Sequence, residues 1–449
     1  MTAIFFNGSY PLIPFTIKTI KALIENGIKP VLITDTLASE LIIKINLNSK
    51  YYKKLIKYCF ENYNCKKLNN PDVPTSDLKF WISDIERATY YKFNNINNKL
   101  CGLINLNFPE FLVETIKKEG IKKIIYEPVS NAYSYLMYEL CKGMKLDYVG
   151  IHQSRIKGCI DVVSIAGSLG SRSFLENNPK FDDIRISSEQ AFEQFKGDIN
   201  NPRPYQYKEG IFIRSLAMSL FVPFIKLFYI LKTQKKFCYY QYPSPVKFSF
   251  IRLVERVLNY RKVKINKFPR LQENYYLYFC HFHPESSTSV LSPEYINDEQ
   301  LIMQISTLLE GCNLLIKPHP QSIIRFSKFF IDYINNHPNL YVSTKKSIDL
   351  MASPQCRGVI SVAGSVGLES ICLNKSTYVF ADVFYVDNEI CKKVDIGSLK
   401  SQLIQYRNSH LGSKRSFKYF QKYSIKSNSL INSWSLEPFD DNLTRVLCS

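Results

Sequence analysis

Three segments in the second half of the chain carry residue types that suit binding of a nucleotide and its phosphate. Histidines, a glutamate and hydroxyls are grouped in His281–Thr288, HFHPESST. A lysine and a histidine lie in Lys317–Pro320, KPHP, and small residues precede a glutamate in Val362–Glu369, VAGSVGLE. Each segment directly follows an apolar run typical of a β-strand. Because α/β folds bind ligands outside the carboxyl ends of parallel strands, these segments predict a ligand site.

The Lys317–Pro320 segment has a stiff backbone. Pro318 and Pro320 lack an N–H group, and each disfavours a helical conformation at the residue before it. This extended loop presents the His319 imidazole, which can hydrogen-bond a phosphate or a ribose, while Lys317 adds a positive charge. The alternative is a structural turn in which His319 has an ordinary protein partner.

The Val362–Glu369 segment predicts a strand, a loop of small residues and the start of a helix. Gly364 and Gly367 allow the backbone to approach a ligand closely. Ser365 is expected to cap the helix, whose free N–H groups and dipole favour a phosphate. Glu369, one turn later, can accept hydrogen bonds from ribose hydroxyls. The alternative is an ordinary capped helix that packs tightly on a strand.

The His281–Thr288 segment places two imidazoles on one side of an extended chain. A zinc site needs further ligands, and no third ligand follows at a suitable spacing, so no metal site is predicted. We expect one histidine and Glu285 to face the cleft, and the other histidine to be structural. His281 and Glu285 are the predicted catalytic residues of this segment.

Polar residues also follow the predicted strands of the first half. Glu127 closes the strand Ile121–Tyr126 and is a candidate general base or ligand of an acceptor hydroxyl. A capping or salt-bridged glutamate is the equal alternative. Arg155 follows the next strand and Asn7 follows the first one. Both are candidate acceptor-binding or anion-binding residues, although the basic residues near Arg155 also fit a solvated edge.

The composition is that of a folded, basic protein. The 449 residues are 45% hydrophobic, 14% aromatic and 22% charged, which excludes a largely disordered chain and predicts two domains. The net charge of +19 favours an anionic partner. The 12 cysteines show no C-x-x-C pair, which indicates free thiols in a reducing compartment. No signal peptide is visible, so a cytoplasmic location is expected.

Alternating strands and helices predict an α/β fold with two Rossmann-like, doubly wound domains that face a cleft. Residues 37–66 have helical spacing. The predicted organisation is an N-terminal acceptor domain at 1–165, a linker and amphipathic insert at 166–265, a C-terminal nucleotide-sugar domain at 266–398 and a basic helical tail at 399–449.

The insert contains an unusually apolar stretch, Ile211–Leu231, with Arg214 and Lys226 inside it and lysines directly after it, at 232, 235 and 236. Charges inside a membrane span are costly. A basic amphipathic helix on a membrane surface fits better. An inter-domain core helix and a true span remain the alternatives.

Three stretches together, Tyr278–Thr288, Leu314–Pro320 and Ser361–Ser370, resemble the bacterial capsule polysaccharide biosynthesis family. This family includes transferases of 3-deoxy-manno-octulosonate (Kdo). A weaker match runs from Glu127 to Gly158. The chain departs from the family at His283, where Gln is common, and at Ser286, where Ala is frequent.

The resemblance implies a GT-B glycosyltransferase with its donor nucleotide on the C-terminal domain. The KPHP segment is also similar to the His-Pro motif of bacterial sialyltransferases, whose histidine meets a CMP phosphate. By this resemblance His319 and Ser365 hold the donor phosphate, and Glu369 holds its ribose or base. Lys317 and Gly367 complete the predicted donor site.

The function predicted from the sequence is a glycosyltransferase of bacterial capsule or lipopolysaccharide assembly that uses CMP-Kdo or a similar CMP-sugar. Its acceptor is a lipid-linked glycan, and its location is the inner face of the plasma membrane. Neither a cofactor, a metal nor a nucleic-acid partner is expected. The alternatives are a CDP-linked polyol-phosphate transferase or nucleotide-sugar epimerase of GT-B fold, and a non-catalytic, membrane-associated scaffold.

Overall fold

The computed structural model describes residues 1–6, 12–35, 37–58, 97–168, 171, 174–176, 178–200, 273–281, 286–309, 311–319, 326–343, 345–405, 417–431 and 437–449. The strands are β1 Thr2–Phe6, β2 Val31–Thr34, β3 Lys54–Lys57, β4 Lys123–Tyr126, β5 Asp147–Gln153, β6 Cys159–Val162, β7 Tyr275–Phe279, β8 Asn313–Lys317, β9 Leu340–Val342, β10 Cys356–Ser361, β11 Thr377–Val379, β12 Cys391–Lys393 and β13 Ser424–Lys426. The helices are α1 Leu12–Glu25, α2 Leu37–Asn46, α3 Asn97–Glu119, α4 Ala132–Gly143, α5 Ser188–Asn200, α6 Ser286–Leu291, α7 Asp298–Leu308, α8 Lys328–Asn336, α9 Ser347–Ala352, α10 Val366–Cys372, α11 Ile396–Gln405, α12 Lys418–Tyr423 and α13 Asp441–Cys448.

The strands form two sheets, one in each domain. The C-terminal sheet has the order β9-β8-β7-β10-β11-β12, and all of its strand pairs are parallel. The N-terminal sheet has the order β3-β2-β1-β4-β5-β6-β13, parallel from β3 to β5 and antiparallel at the last two strands. Both orders reverse at the first strand, as in a Rossmann fold. The predicted class of two Rossmann-like domains of GT-B type is therefore confirmed.

The strand sequences explain why the sheets are buried in the centre of each domain. β1 is TAIFF and β7 is YYLYF, and every residue of both strands is buried. Such continuous apolar runs suit parallel strands that are covered by helices on both faces. β3, at one edge, has exposed lysines at both ends. It pairs with β2 through residues 54–57, so the helix predicted over 37–66 is wrong at these residues, and residues 59–66 lie outside the described residues. Pairing with a neighbouring strand outweighs the helical spacing there.

Each sheet has a switch point, where the strand order reverses, and specific loops follow the strands there. In the N-terminal sheet β1 and β4 are neighbours, so the chain after Phe6 and the chain after Tyr126 leave the same edge. In the C-terminal sheet β7 and β10 are neighbours, and His281 and Val362 follow their ends. Ligands of doubly wound folds bind at these positions.

Two segments outside the predicted domain cores connect the domains. α5 lies within the predicted insert, and its Ala191 and Phe195 are buried in the C-terminal core. The predicted tail is divided between the domains. Residues of α12 are buried in the C-terminal core, whereas β13 extends the N-terminal sheet and α13 packs on α1. The described part of the tail therefore belongs to both cores.

Within the described residues, no helix is long and apolar enough to cross a membrane. The apolar stretch 211–231 and its basic flank lie outside the described residues, so the expected membrane helix is not among them. The described cysteines are free thiols, and most of them are buried.

Lys123 connects β4 to the C-terminal helix. Its ammonium is buried and donates a hydrogen bond of 2.6 Å to the carbonyl of Leu447 in α13. Burial lowers the pKa of Lys123 to about 8, because desolvation disfavours the charged form. In the unfolded chain this lysine titrates near its ordinary value, about 10.4.

The Lys123 pKa predicts a pH dependence of stability. Above about pH 8 the folded chain releases the Lys123 proton that the unfolded chain keeps, so the contribution of this group to the free energy of unfolding rises with pH. Between about pH 8 and about pH 10 that contribution rises by about 2 kcal/mol, so the change in the free energy of unfolding over this range should be about 2 kcal/mol less favourable in Lys123→Met than in the native chain. Urea unfolding at both pH values measures it. Lys122→Met, at the exposed neighbouring position, is the control, and equal slopes in all three proteins would contradict the prediction.

Candidate active site

The carboxyl ends of three adjacent strands lie level in the C-terminal domain. β7 pairs with β8 through Phe279 and Lys317, and with β10 through Tyr278 and Ile360. The Cys280 N–H group also donates to the Lys317 carbonyl at 3.1 Å. The three sequence segments that predicted a ligand site therefore start side by side, at the switch point of this sheet.

His281 connects two of these strand ends. Its side chain is buried, and its Nε2 accepts a hydrogen bond of 2.9 Å from the Val362 N–H group. A ring nitrogen that accepts a hydrogen bond carries no proton, so the proton of the neutral ring is on Nδ1. His281 was predicted to be catalytic. In the structure its Nε2 holds the start of the 362–369 loop, which is the role of a positioning residue.

Asp298 holds His281 in turn. Its Oδ2 accepts a hydrogen bond of 3.0 Å from the backbone N–H group of His281, and its Oδ1 accepts one from the Tyr278 hydroxyl. Asp298 is the first residue of α7, where the helix dipole favours a negative charge. Asp298 is not recognisable as a site residue from the sequence, because a carboxylate at the start of a helix is a common pattern.

Lys317 and His319 follow β8. Lys317 is half-buried, and burial lowers the pKa of its ammonium. Desolvation of this kind strengthens the attraction of the ammonium for an anion. His319 is also half-buried, two residues beyond the strand, while residues 320–325 lie outside the described residues. The structure thus brings Lys317 and His319 to the same sheet edge as His281.

The 362–369 loop differs from the expected phosphate-binding helix start. Ser365 occupies the cap position, but its φ of −60° and ψ of −21° are helical and its side chain makes no capping hydrogen bond. The expected Ser365 cap is therefore wrong, because a cap needs a more extended backbone. α10 itself has 7 residues. Gly364 donates its N–H to the Ser361 hydroxyl at 3.3 Å, which tightens the loop within itself.

Tyr385 leaves no space for a side chain at position 367, so a glycine is needed there. A Cβ atom at Gly367 would lie 2.6 Å from the ring and hydroxyl of Tyr385. Tyr385 is fully buried, and its hydroxyl donates a hydrogen bond of 2.6 Å to the Gly364 carbonyl. The predicted close approach of a ligand at Gly367 is thus replaced by the approach of Tyr385. The role of Tyr385 is not visible in the sequence, since Tyr385 lies 18 residues after Gly367.

Glu369 and Arg155 come from different domains and lie near one another. Burial raises the pKa of the half-buried Glu369 carboxyl to about 7, and the Arg155 charge opposes this shift. Arg155 lies in the turn between β5 and β6, with its guanidinium 5.9 Å from the centre of the Phe384 ring. Its Nη1 is buried and has no hydrogen-bond partner among the described residues. Two of the predicted site residues, one from each domain, are therefore near enough for the charge of Arg155 to act on Glu369.

A second acidic residue, the buried Asp161, also lies near Arg155. Burial raises the pKa of Asp161 in β6, while the Ser424 hydroxyl and the nearby Arg155 charge lower it. Arg155 is thus influenced by one acidic residue of its own domain and one of the other domain. An N–H group that is buried without an acceptor costs about 1–3 kcal/mol. This arrangement suits an anionic ligand group, which would supply the missing acceptor.

Glu127 lies at the switch point of the N-terminal sheet, directly after β4. Its Oε1 accepts hydrogen bonds from the Ser130 hydroxyl at 2.7 Å and from the Asn131 amide at 2.8 Å. Asn131 also caps α4, through a capping box with Ser134. The carboxylate is therefore held in one orientation by the turn that starts the helix. These contacts fit both interpretations of Glu127, the general base and the residue that stabilises the start of the helix.

Several predicted residues lie outside the described residues, namely Asn7, His283 and Glu285. Among the residues that are described, no group of three or more His, Cys, Asp or Glu side chains is arranged to hold a metal ion. The expectation that the protein needs neither a cofactor nor a metal stays a prediction.

No protein-family model matches the chain. No curated protein matches it either. Solved structures do show similarity. KpsC of Thermosulfurimonas dismutans, as the β Kdo 2,7 transferase, shares 10% identity over 72% of this chain and 84% of its own, with a TM-score of 0.34. As the β Kdo 2,4 transferase it shares 13% identity over 74% and 88%, with a TM-score of 0.36.

A UDP-GlcNAc 2-epimerase of Methanocaldococcus jannaschii, in complex with UDP-GlcNAc and UDP, is similar over more of the chain. It shares 12% identity over 93% of this chain and 98% of its own, with a TM-score of 0.29. Identities and TM-scores this low do not reveal an activity. The strand order and the site residues of this chain therefore have to carry the functional assignment.

Gly367→Ala is expected to destabilise the protein by about 1–3 kcal/mol, because the new methyl group displaces the buried Tyr385 ring. Gly197→Ala in α5 is the matched control, since a Cβ there meets nothing within 4 Å. The control should stabilise its helix by about 0.5–1 kcal/mol. Urea denaturation of the three proteins gives both values, and two changes of the same sign would contradict the role of Gly367.

The Glu369 pKa predicts a second pH dependence. Between its ordinary pKa and about 7, the folded chain holds a proton that the unfolded chain has lost, so stability falls as pH rises. Glu369→Gln should remove this fall. Urea unfolding from about pH 5 to about pH 8 tests it against Glu193→Gln, an exposed control on α5. A native-like fall in the Glu369→Gln protein would show that another group causes it.

Proposed function

We propose that the protein is a glycosyltransferase of bacterial surface polysaccharide assembly, which transfers a sugar from a nucleotide donor to a lipid-linked or glycan acceptor. The observation that carries the proposal is the position of Arg155, a residue of the N-terminal domain whose guanidinium lies 5.9 Å from the centre of the Phe384 ring in the C-terminal domain. Its charge is near enough to Glu369 to oppose the rise in the pKa of that carboxyl. Groups of both domains therefore lie close together, which suits transfer between two substrates.

The donor is assigned to the C-terminal domain. Lys317 and His319 follow β8, next to the β7 and β10 ends at the switch point, and suit the donor phosphate. Their sequence context resembles families that use CMP-linked sugars, so a CMP-sugar such as CMP-Kdo is the favoured donor. Glu369 is assigned to the donor ribose or base. The buried, unpaired Nη1 of Arg155 is assigned to an anionic group of a substrate.

The acceptor is assigned to the N-terminal domain, where Glu127 is the candidate base. In the reaction the acceptor oxygen forms a bond to the anomeric carbon, and its proton passes to the carboxylate. The nucleotide leaves with the bonding electrons on its phosphate oxygen, where the charges of Lys317 and of a hydrogen-bonding His319 stabilise the developing negative charge.

The membrane surface is assigned as the place of reaction, because the chain carries a net charge of +19 and a basic apolar stretch at 211–236. A basic amphipathic segment binds anionic lipid headgroups. Such a position would bring the protein to acceptors that are carried on lipid.

A nucleotide screen tests the proposed donor site. CMP, CDP and UDP are compared by thermal shift, because a ligand that binds the folded state raises the unfolding temperature. The largest shift is expected with CMP, and His319→Ala should weaken CMP binding about tenfold to a hundredfold, since a charge-assisted hydrogen bond is lost.

His337→Ala is the matched control, because His337 lies before β9, at the opposite end of the C-terminal sheet. It should leave CMP binding unchanged. A preference for UDP would favour epimerase chemistry, and binding of CDP with polyol-phosphate transfer would favour the other GT-B alternative. Absence of binding by all three nucleotides would exclude the proposed donor site.

A further inference from the structure

Tyr385 contacts the 362–369 loop at two points. Its hydroxyl donates to the Gly364 carbonyl at 2.6 Å, and its ring fills the space that a side chain at Gly367 would occupy. The same carbonyl also accepts the Gly367 N–H group, at 3.2 Å. Because Tyr385 is fully buried, its ring has little freedom to move away from these contacts.

The loop is held from its other end by His281. Val362 donates its N–H to His281 Nε2, so the first residue of the loop is fixed to the end of β7. Tyr385 fixes the middle of the loop, from the segment that follows β11. The loop carries Glu369, and a side chain that binds a ligand needs one arrangement before binding, since ordering it on binding costs affinity.

Tyr385 is also next to a contact between the domains. The N–H group of Phe384 donates to the Gly167 carbonyl of the N-terminal domain at 3.0 Å, and Val383 forms an antiparallel bridge with Ser168. The Arg155 guanidinium lies over the Phe384 ring, 5.9 Å from its centre. A shift of the N-terminal domain at Gly167 therefore moves the backbone directly before Tyr385.

From these contacts we infer that Tyr385 is a positioning residue for the donor site. It holds the 362–369 loop in its binding arrangement and makes that arrangement depend on the contact between the domains. The inference rests on the proposed role of Glu369, in this loop, in binding the donor. It adds a residue to which neither the sequence motifs nor the proposed chemistry gives a role, and it connects donor binding to domain position.

Tyr385→Phe tests the first part, because it removes only the hydroxyl. Tyr275→Phe is the matched control, since the buried Tyr275 hydroxyl also donates to a backbone carbonyl, that of Leu350, at 2.7 Å. Both variants should lose similar stability. Tyr385→Phe should speed amide hydrogen exchange in residues 362–369 by about tenfold and weaken CMP binding about threefold to tenfold. The control should change neither quantity.

The outcomes separate the inference from the proposed function. Equal exchange of the loop in both variants would overturn the positioning role, whatever the protein binds. If the native protein binds no nucleotide while Tyr385→Phe still loosens the loop, the positioning of the loop stands and the donor function fails. Looser exchange with unchanged CMP affinity would refute the claim that the arrangement serves donor binding.

Gly167→Ala tests the dependence on the domain contact. Gly167 has a φ of +77°, so an alanine there strains the backbone whose carbonyl receives the Phe384 N–H. Gly27→Ala is the matched control, with a φ of +76° and no atom within 4 Å of its added Cβ. Only Gly167→Ala should speed exchange in residues 362–369. Unchanged exchange in that variant would refute the connection between the loop and the contact.

Discussion

The contact between the β5–β6 hairpin and residues 380–385 is the constraint on which the candidate site depends. Ile156 and Val163 of the N-terminal half are buried within the C-terminal core. Apolar burial of this kind is the main favourable contribution to packing. This burial offsets the free-energy cost of Arg155 Nη1, which is buried at the same contact and has no hydrogen-bond partner among the described residues. Burial of Ile156 and Val163 in the C-terminal core thereby places the neighbouring Arg155 against that domain.

Much of the fold follows from patterns that are local in the sequence. The buried parallel strands are continuous apolar runs, as β7 and the middle of β8 show. Polar residues at the ends of such runs necessarily lie along one edge of a parallel sheet. For this reason His281, Lys317 and the 362–369 loop were predicted to lie together, and the strand pairing brings them there.

The roles within the site were less predictable, because they depend on partners far away in the sequence. Gly367 looks like a residue that makes space for a ligand, but Tyr385 occupies that space. His281 looks like a reactive group, but Val362 engages its Nε2. Ser365 has the right side chain for a cap and the wrong backbone conformation. Residue type and spacing identify such positions, whereas tertiary contacts decide what they do.

The tail could not have been assigned from its sequence for a related reason. Ser424–Lys426 is a strand of 3 residues that exists only because β6 offers an edge, and its sequence SIK carries no periodicity to detect. α13 is amphipathic and was expected to be helical. Its position on α1 depends on residues more than 400 positions earlier, such as Ala22, whose backbone carbonyl is 3.7 Å from Cys448 Sγ.

The chain passes between the domains at two places that lie side by side. One crossing leads into α5 and the other leads from α12 into β13. Arg185 and Ile425 form an antiparallel bridge between them, and the Ile186 N–H group donates to the Ser424 carbonyl at 3.4 Å. Phe192 of α5 and Phe417 stack edge to face, with ring centres 5.3 Å apart. Because these contacts pair the two crossings, a rotation of one domain relative to the other would have to bend both crossings together.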